Sequence, residues 1–534
     1  MTTLQKILPI GFVLFLCAAL TLPAVAQQQH ARIKIDIDRT IGEVDSMLYG
    51  NFLEHLGRAV YGGAYDPDSP EADEDGFRKD VIKAARELNV TQLRYPGGNF
   101  VSNYHWLDGV GPERIPRMEL AWHRLETNEF GTNEFMQFVN KIGAKPYFAV
   151  NMGSGTMTEA QRWVEYTNVK EGPYYAELRK KHGYEEPWNI KYWSLGNEMD
   201  GFWQIGHLNA EDYSKKARET AKVMRLTDPS IKLIAAGSSN FRPGANPMEW
   251  NRKVLEELKD VVDYLALHIY VGNPNDNYYN FMSTPLVLEE RTKIVKGLIR
   301  EVMSRANRGD RPPIKIAWDE WNVWYRARAG EAMSGDRALE EHYNLEDALV
   351  VSGFLNAFVR NADVVKMANM AQLVNVIAPM FTNKNDLYKQ TIYYPLQLFS
   401  EYTYGTSLDV FVDSDSYDTD QFYIGLGESQ TQQKNVPYLD VSATYKDNGE
   451  VIINVLNRHK DQAITTDIIS QKGTFSGPFE VYEVNGPDIK AKNNFDETKV
   501  KTEQKSAINA SGTEITYSFP PHSYTLLKGK IVTD

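Results

Sequence analysis

Over most of the chain, short apolar runs alternate with stretches in which apolar residues recur every three or four positions. Eight runs lean towards strand, at 48–53, 92–96, 146–151, 191–195, 232–236, 262–270, 314–318 and 364–371. Helical spacing fills the gaps, most clearly at 77–88, 134–142, 159–166, 210–224, 250–258 and 288–303. Strands alternating with helices imply parallel pairing, and eight such units predict a closed (β/α)8 TIM barrel. Beyond about residue 399 the helical period stops. Alternating segments at 422–426, 438–445, 450–456, 479–484, 514–519 and 523–528, separated by Gly, Asn, Asp and Pro, predict an all-β, jelly-roll-like sandwich. Residues 31–38 also alternate with period two. A barrel that closes on itself has no place for them, so they join the sandwich, which is then built from both chain ends. The expected division is a targeting segment at 1–26, an N-terminal sandwich strand at 27–45, the barrel at 46–400 and the C-terminal sandwich at 401–534.

Composition sharpens this in three respects. With 534 residues, 42% of them hydrophobic and 12% aromatic, the chain can fill two cores. A formal charge of −13 leaves no basic stripe for phosphates, so nucleic acid is an unsuitable partner. At the N-terminus Lys6 precedes an apolar run at 7–22, and Pro23-Ala-Val-Ala26 supplies the small residues of a signal-peptidase site. Cleavage is expected after Ala26, giving a secreted or periplasmic protein with no membrane segment after cleavage. The single cysteine, Cys17, lies inside that run, so the mature chain would lack disulfides, thiolate metal sites and cysteine nucleophiles.

The chemistry concentrates where apolar runs end in acid. Lys191-Tyr-Trp-Ser-Leu-Gly-Asn-Glu-Met-Asp200 stops in Gly196, Asn197 and Glu198, and Ile314-Lys-Ile-Ala-Trp-Asp-Glu-Trp321 stops in Asp319 and Glu320. In a barrel both ends open on one rim, the usual place for an active site. Retaining hydrolysis of a glycosidic bond needs an acid for the leaving oxygen and a carboxylate for the anomeric carbon, roughly 5–5.5 Å apart. Glu198 supplies one carboxylate, and Asn197 beside it has an amide suited to a sugar hydroxyl. An isolated Asn-Glu pair is ordinarily a helix cap or loop; the strand end and the second acid change its meaning. Side chains alternate along a strand, so only one of Asp319 and Glu320 should face the substrate, and spacing does not choose. Trp321 and Trp324 follow, with faces that suit a sugar ring, although most tryptophans serve packing. Other rim segments are Asn51-Phe-Leu-Glu-His-Leu-Gly57, Arg94-Tyr-Pro-Gly-Gly-Asn99, His268 with Tyr270, and 372–375. Singly, Glu54 reads as an ion-paired carboxylate and His268 as structural; together they ring two acids. The chain lacks His-Glu-x-x-His, Gly-x-Ser-x-Gly and a full Gly-x-Gly-x-x-Gly, which disfavours zinc hydrolase, serine esterase and dinucleotide enzymes. The two-carboxylate chemistry requires no metal or organic cofactor.

Several long segments carry a resemblance. They are Tyr49-Gly-Asn-Phe-Leu-Glu-His-Leu-Gly-Arg58, Arg94-Tyr-Pro-Gly-Gly-Asn-Phe100, Tyr104-His-Trp-Leu-Asp-Gly-Val-Gly-Pro112, Glu126-Thr-Asn-Glu-Phe-Gly131, Leu195-Gly-Asn-Glu-Met-Asp-Gly-Phe-Trp-Gln-Ile-Gly-His207, Val262-Asp-Tyr-Leu-Ala-Leu-His-Ile-Tyr270, Asp319-Glu-Trp-Asn-Val-Trp-Tyr325 and Ala371-Gln-Leu-Val-Asn-Val-Ile-Ala-Pro379. From about residue 31 to the C-terminus the chain resembles the α-L-arabinofuranosidases of glycoside hydrolase family 51. The resemblance implies a barrel with a β-sandwich, Glu198 as acid/base and Glu320 as nucleophile. It also implies that Glu54, Asn99, Asn197, Tyr270 and Gln372 hold the arabinose and that His268 lies near the nucleophile; Trp324 is retained as a substrate-facing aromatic. The implied substrate is an arabinose-containing polysaccharide or oligosaccharide, and the implied assembly is a homo-oligomer, commonly a hexamer. Phe202 departs from the family, where Pro is common, and bears on fine specificity. Rival expectations are an endo-β-glucanase or β-xylosidase with the same acid pair, or a non-catalytic glycan-binding protein.

Overall fold

The computed structural model describes residues 29–533 except 329, 425–427 and 431. Eight parallel strands close into a barrel in chain order: β1 (Gly50–Phe52), β2 (Gln92–Tyr95), β3 (Lys145–Ala149), β4 (Tyr192–Leu195), β5 (Lys232–Ala235), β6 (Tyr264–Val271), β7 (Lys315–Val323) and β8 (Val365–Met370). Each is followed by a principal helix: α1 (Lys79–Glu87), α2 (Thr132–Ile142), α3 (Met157–Asn168), α4 (Ala210–Thr227), α5 (Pro247–Leu258), α6 (Thr284–Met303), α7 (Leu345–Arg360) and α8 (Tyr393–Tyr402). The eight strand positions read from the apolar runs are all occupied. Two differ in extent. The run at 48–53 begins in a 3-10 turn, Ser46–Tyr49, capped by the Asp45 side chain accepting from the Met47 N–H, and is strand only at Gly50–Phe52. The run at 314–318 continues as strand to Val323, so both Asp319 and Glu320 lie within β7.

The helices start where side chains satisfy their free N–H groups. Asn209 accepts from the Asp212 N–H at 3.0 Å ahead of α4, and Asn344 with Asp347 forms a reciprocal cap at the start of α7. α7 is buried on every side from Leu345 to Phe358 and Val359. A helix apolar all round needs cover on both faces, and α7 has it: the barrel on one side and the strand Leu439–Tyr445 on the other.

The sandwich takes strands from both chain ends. Its four-stranded sheet orders Phe411–Asp413, Gln29–Ile35, Ile464–Ser470 and Glu514–Phe519. Its seven-stranded sheet runs Thr40–Val44, Gly405–Leu408, Leu439–Tyr445, Glu450–Asn457, Ser523–Val532, Thr474–Asn485 and Lys501–Gly512. Between them Ile33, Val441, Ile453, Ile468, Phe479 and Leu527 pack a separate core. One expected sandwich strand lies elsewhere: Phe422–Ile424 pairs with Glu428–Gln430 in its own hairpin. Its Phe422 and Ile424 bury themselves in the barrel's core cluster, which draws the hairpin across to the barrel. Leu426, at the end of that expected strand, lies outside the described residues. Among the described residues no helix is long and apolar enough to cross a membrane.

Candidate active site

Glu198 follows β4 on a backbone that turns left-handed at Gly196 (φ 89°) and again at Glu198 itself (φ 44°). A non-glycine residue in that region is uncommon and costs on the order of 1–3 kcal/mol, which the surrounding contacts must offset. The turn aims the carboxylate into the barrel mouth. There Oε1 meets His268 Nδ1 at 2.9 Å, and Oε2 accepts from Trp203 Nε1 at 2.5 Å.

Glu320 faces it from β7. Its Oε1 accepts from the Tyr270 hydroxyl at 2.7 Å and its Oε2 from Arg94 Nη1 at 2.8 Å. Pairing between β6 and β7 slips between Ala266 and His268: Ala266 opposes Ala317, but His268 opposes Glu320. The extra residue on β7 is a bulge, a device that re-aims side chains. Strict alternation therefore fails here, and both acids turn inward. Asp319 sits deeper, fully buried, with the Tyr147 hydroxyl donating to Oδ2 at 2.6 Å and His268 Nε2 placed 3.2 Å from Oδ1 as an ion pair.

His268 bridges the carboxylates, with Nδ1 2.9 Å from Glu198 and 3.6 Å from Glu320. One oxygen of each glutamate and a His268 nitrogen all lie within 4.8 Å of one another. Burial alone would lower the His268 pKa, but the charge of Glu320 and the hydrogen bonds to Asp319 and Glu198 push it up to about 10. At that pKa the ring is a cation lying between the two carboxylates. Burial would raise Asp319, yet Arg94 and His268 hold it below the usual aspartate range.

The other expected residues gather round these acids. Glu54 accepts from the Phe100 N–H and Trp122 Nε1, each at 3.0 Å, and from Gln372 Nε2 at 3.2 Å. Burial, then the charge of Glu320, push Glu54 from an ordinary value of 4.5 up to about 8. Asn99, Tyr270, Trp324 and Gln372 line the same cavity of about 180 Å³ as Glu54, Glu198 and Glu320. That is small beside the ~300–1,000 Å³ of sites for drug-sized ligands, and suits a single terminal pentose. Asn197 and His268 are not on its wall. Asn197 lies beneath, its Oδ1 accepting from Arg94 Nη2 at 2.6 Å and its Nδ2 directed to Gln204.

Three functional side chains were not singled out from sequence. Arg94 links Glu320 to Asn197 and stacks on Phe52, 4.5 Å from the ring centre. Trp122 arrives on the hairpin Arg117–Glu119/Arg124–Glu126 inserted after β2. Trp203 comes from the loop after β4. Arg94 at its strand end and Trp203 in the loop both stand inside segments that carry the resemblance, a usable signal; Trp122 has neither motif nor periodicity around it to mark it.

A TIM barrel whose mouth joins two glutamates through one histidine, over a pocket of sugar size, defines a glycoside hydrolase. Known proteins specify it further. The family description Alpha-L-arabinofuranosidase 1 domain matches residues 84–284, and Alpha-L-arabinofuranosidase C-terminal domain matches 319–523. The chain is 42% identical over 517 residues to intracellular exo-alpha-(1->5)-L-arabinofuranosidase 1 of Bacillus subtilis, covering 94% of this chain and 99% of that one. It is 44% identical over 443 residues to the intracellular exo-alpha-(1->5)-L-arabinofuranosidase of Halalkalibacterium halodurans, covering 81% and 86%. The crystal structure of the Thermotoga maritima α-L-arabinofuranosidase arabinose complex superposes with a TM-score of 0.85 at 38% identity, over 94% of this chain and 100% of that one. The chain belongs to the glycoside hydrolase family 51 α-L-arabinofuranosidases. One expectation is overturned by the same relatives: both Bacillus-type enzymes are named intracellular, against a secreted or periplasmic protein. The charge-then-apolar pattern that suggested export is compositional only, and the expected cleavage after Ala26 falls at 1–28, outside the described residues.

Proposed function

We propose that this arabinofuranosidase is an exo-acting, retaining enzyme that releases terminal α-L-arabinofuranosyl groups by double displacement. Glu198 is the acid/base and Glu320 the nucleophile. The observation that carries this is the approach of the two carboxylates, with an oxygen of each within 4.8 Å of the other. Inverting enzymes keep the pair ~6.5–9.5 Å apart to admit a water. In the first step Glu320 attacks the anomeric carbon while Glu198 gives its proton to the leaving oxygen. In the second, water hydrolyses the arabinosyl ester with Glu198 as base. Arg94 and Tyr270 orient the nucleophile, and cationic His268 offsets the repulsion between the acids. Asp319 is the partner of Arg94 and His268 beneath the site, which leaves the attacking role to Glu320. Glu54, Asn99, Tyr270, Gln372 and Trp324, which line the cavity, hold the pentose, and Asn197 supports them from beneath through Arg94 and Gln204.

The substrates are arabinan, arabinoxylan and their oligosaccharides. The exo-(1→5) names of two relatives support arabinan-type ends. A homo-oligomer, a hexamer by resemblance, is supported by the apolar surface of the inserted hairpin, where Met118 and Leu125 are 63% and 59% exposed. Light scattering reads the assembly directly, and a monomer contradicts it.

Glu320→Ala should abolish hydrolysis of an aryl α-L-arabinofuranoside, with no retained product on adding azide. Glu198→Ala with an activated leaving group should be rescued by azide, yielding the azide of retained configuration. Unimpaired turnover in Glu320→Ala contradicts the assignment.

A further inference from the structure

Trp203 and Arg242 line the cavity beside Glu198, and Phe202 adjoins them outside that lining. Phe202 is 61% exposed and meets Trp203 edge-on, with ring centres 5.2 Å apart. Trp203 in turn donates to Glu198, the acid that must protonate the departing oxygen. Arg242 lies over both rings, its guanidinium carbon 5.1 Å from each centre. It reaches them because Asp200, just after the acid, ties down the β5 loop. Asp200 Oδ2 accepts from the Ser239 and Asn240 N–H groups at 2.8 Å each. Arg291 stacks on Phe241, 3.6 Å from the ring centre, and pairs with Glu428 of the Phe422–Gln430 hairpin. The loop carrying Arg242 is therefore held on both sides.

Charge matching sets Arg242 apart. Neighbouring arginines are paired: Arg94 with Glu320 and Asp319, Arg291 with Glu428, Arg326 with Glu341 and Asp347. Among the described residues Arg242 has no carboxylate partner, and its buried Nε has no hydrogen bond. Arg328, whose three buried guanidinium nitrogens are likewise unbonded, adds a second unmatched cation over Trp324, 4.1 Å from the ring. Arg328 feels the charge of Arg242, which lines the cavity beside Glu198. In a chain of net charge −13, Arg242 thus presents, beside the acid and over two aromatic rings, a guanidinium with no carboxylate partner among the described residues.

We propose that Phe202, Trp203 and Arg242 form the subsite for the leaving group, and that Arg242 takes a carboxylate there, so that aglycones bearing a uronate are favoured over neutral ones. The aromatic faces hold the sugar ring, and the guanidinium fork holds its carboxylate. This rests on the arabinofuranosidase reading with Glu198 as acid.

The test uses two aryl α-L-arabinofuranosides that differ only in a ring carboxylate or its isosteric carboxamide. The full-length enzyme should show a kcat/KM ratio, carboxylate over carboxamide, of about fivefold to tenfold at low salt. The ratio should shrink as salt screens the contact. Arg242→Gln should bring the ratio to about one, and Arg242→Lys should keep part of it. A ratio near one in the unmodified enzyme, or a ratio unchanged in Arg242→Gln, overturns the subsite. Hydrolysis of neither compound overturns instead the reading on which it rests.

Discussion

His268 is where the charges of the site meet, because its two nitrogens face three carboxylates. Their summed field outweighs burial and keeps the ring cationic through neutral pH. Glu54 shows the opposite case: burial and the charge of Glu320 act together, and its pKa climbs from 4.5 to about 8. A carboxyl that binds its proton more tightly in the folded state contributes stability that is complete below 4.5 and lost as pH rises through 8. Glu54→Gln should therefore flatten the decline in melting temperature across that window, measured by calorimetry beside the unmodified protein. Equal slopes in the two proteins contradict it. At this scale the sequence was legible wherever an acid ended an apolar run, as at Glu198. It was not legible at Asp319 and Glu320, because the rule separating neighbours on a strand assumes regular pairing. The slip opposite His268 suspends that rule, and only coordinates or a family resemblance reveal it.

At the scale of elements, the barrel strands were legible because they are buried on both faces and so read as apolar runs between helical periods. β2 is buried at all four residues and β7 at eight of nine, the exception being Lys315. The sandwich was less so. Lys501–Gly512 is buried only at Ala510, so no alternation marks it as a strand; it is fixed by pairing with Thr474–Asn485. Phe422–Ile424 does alternate, yet its apolar side finds the barrel. Period two reports that a face is buried, never against which core. That hairpin matters for function, since Glu428 on its second strand holds Arg291 behind the leaving-group loop.

For the whole molecule, barrel and sandwich share a buried charge cluster on one side of α7. Asp440 accepts from Arg360 Nη1 at 2.9 Å, from Arg458 Nη2 at 2.6 Å and from Asn356 Nδ2 at 2.7 Å. Burial would raise its pKa, but Arg360 and Arg458 hold it down at about 2. Removing Asp440 leaves the buried Arg458 without its carboxylate, while Arg360 keeps Glu289, a loss of about 3–5 kcal/mol. Asp440→Ala should accordingly lower the melting temperature markedly, read by calorimetry at neutral pH. Because the folded pKa is depressed, the contribution of Asp440 is present above 3.8 and fades as pH falls towards 2, so the gap between the two proteins should close on acidification. A gap that is absent, or that widens in acid, contradicts the cluster's role.

The division of labour between the acids is tested most directly by trapping the intermediate. Glu198→Gln, given an arabinofuranoside with an activated leaving group, should form the ester quickly and release it slowly. Peptide mass spectrometry of the quenched enzyme should then find one anhydropentosyl group on Glu320. The same group on Asp319 or on residue 198, or no adduct while product still forms, would contradict the account.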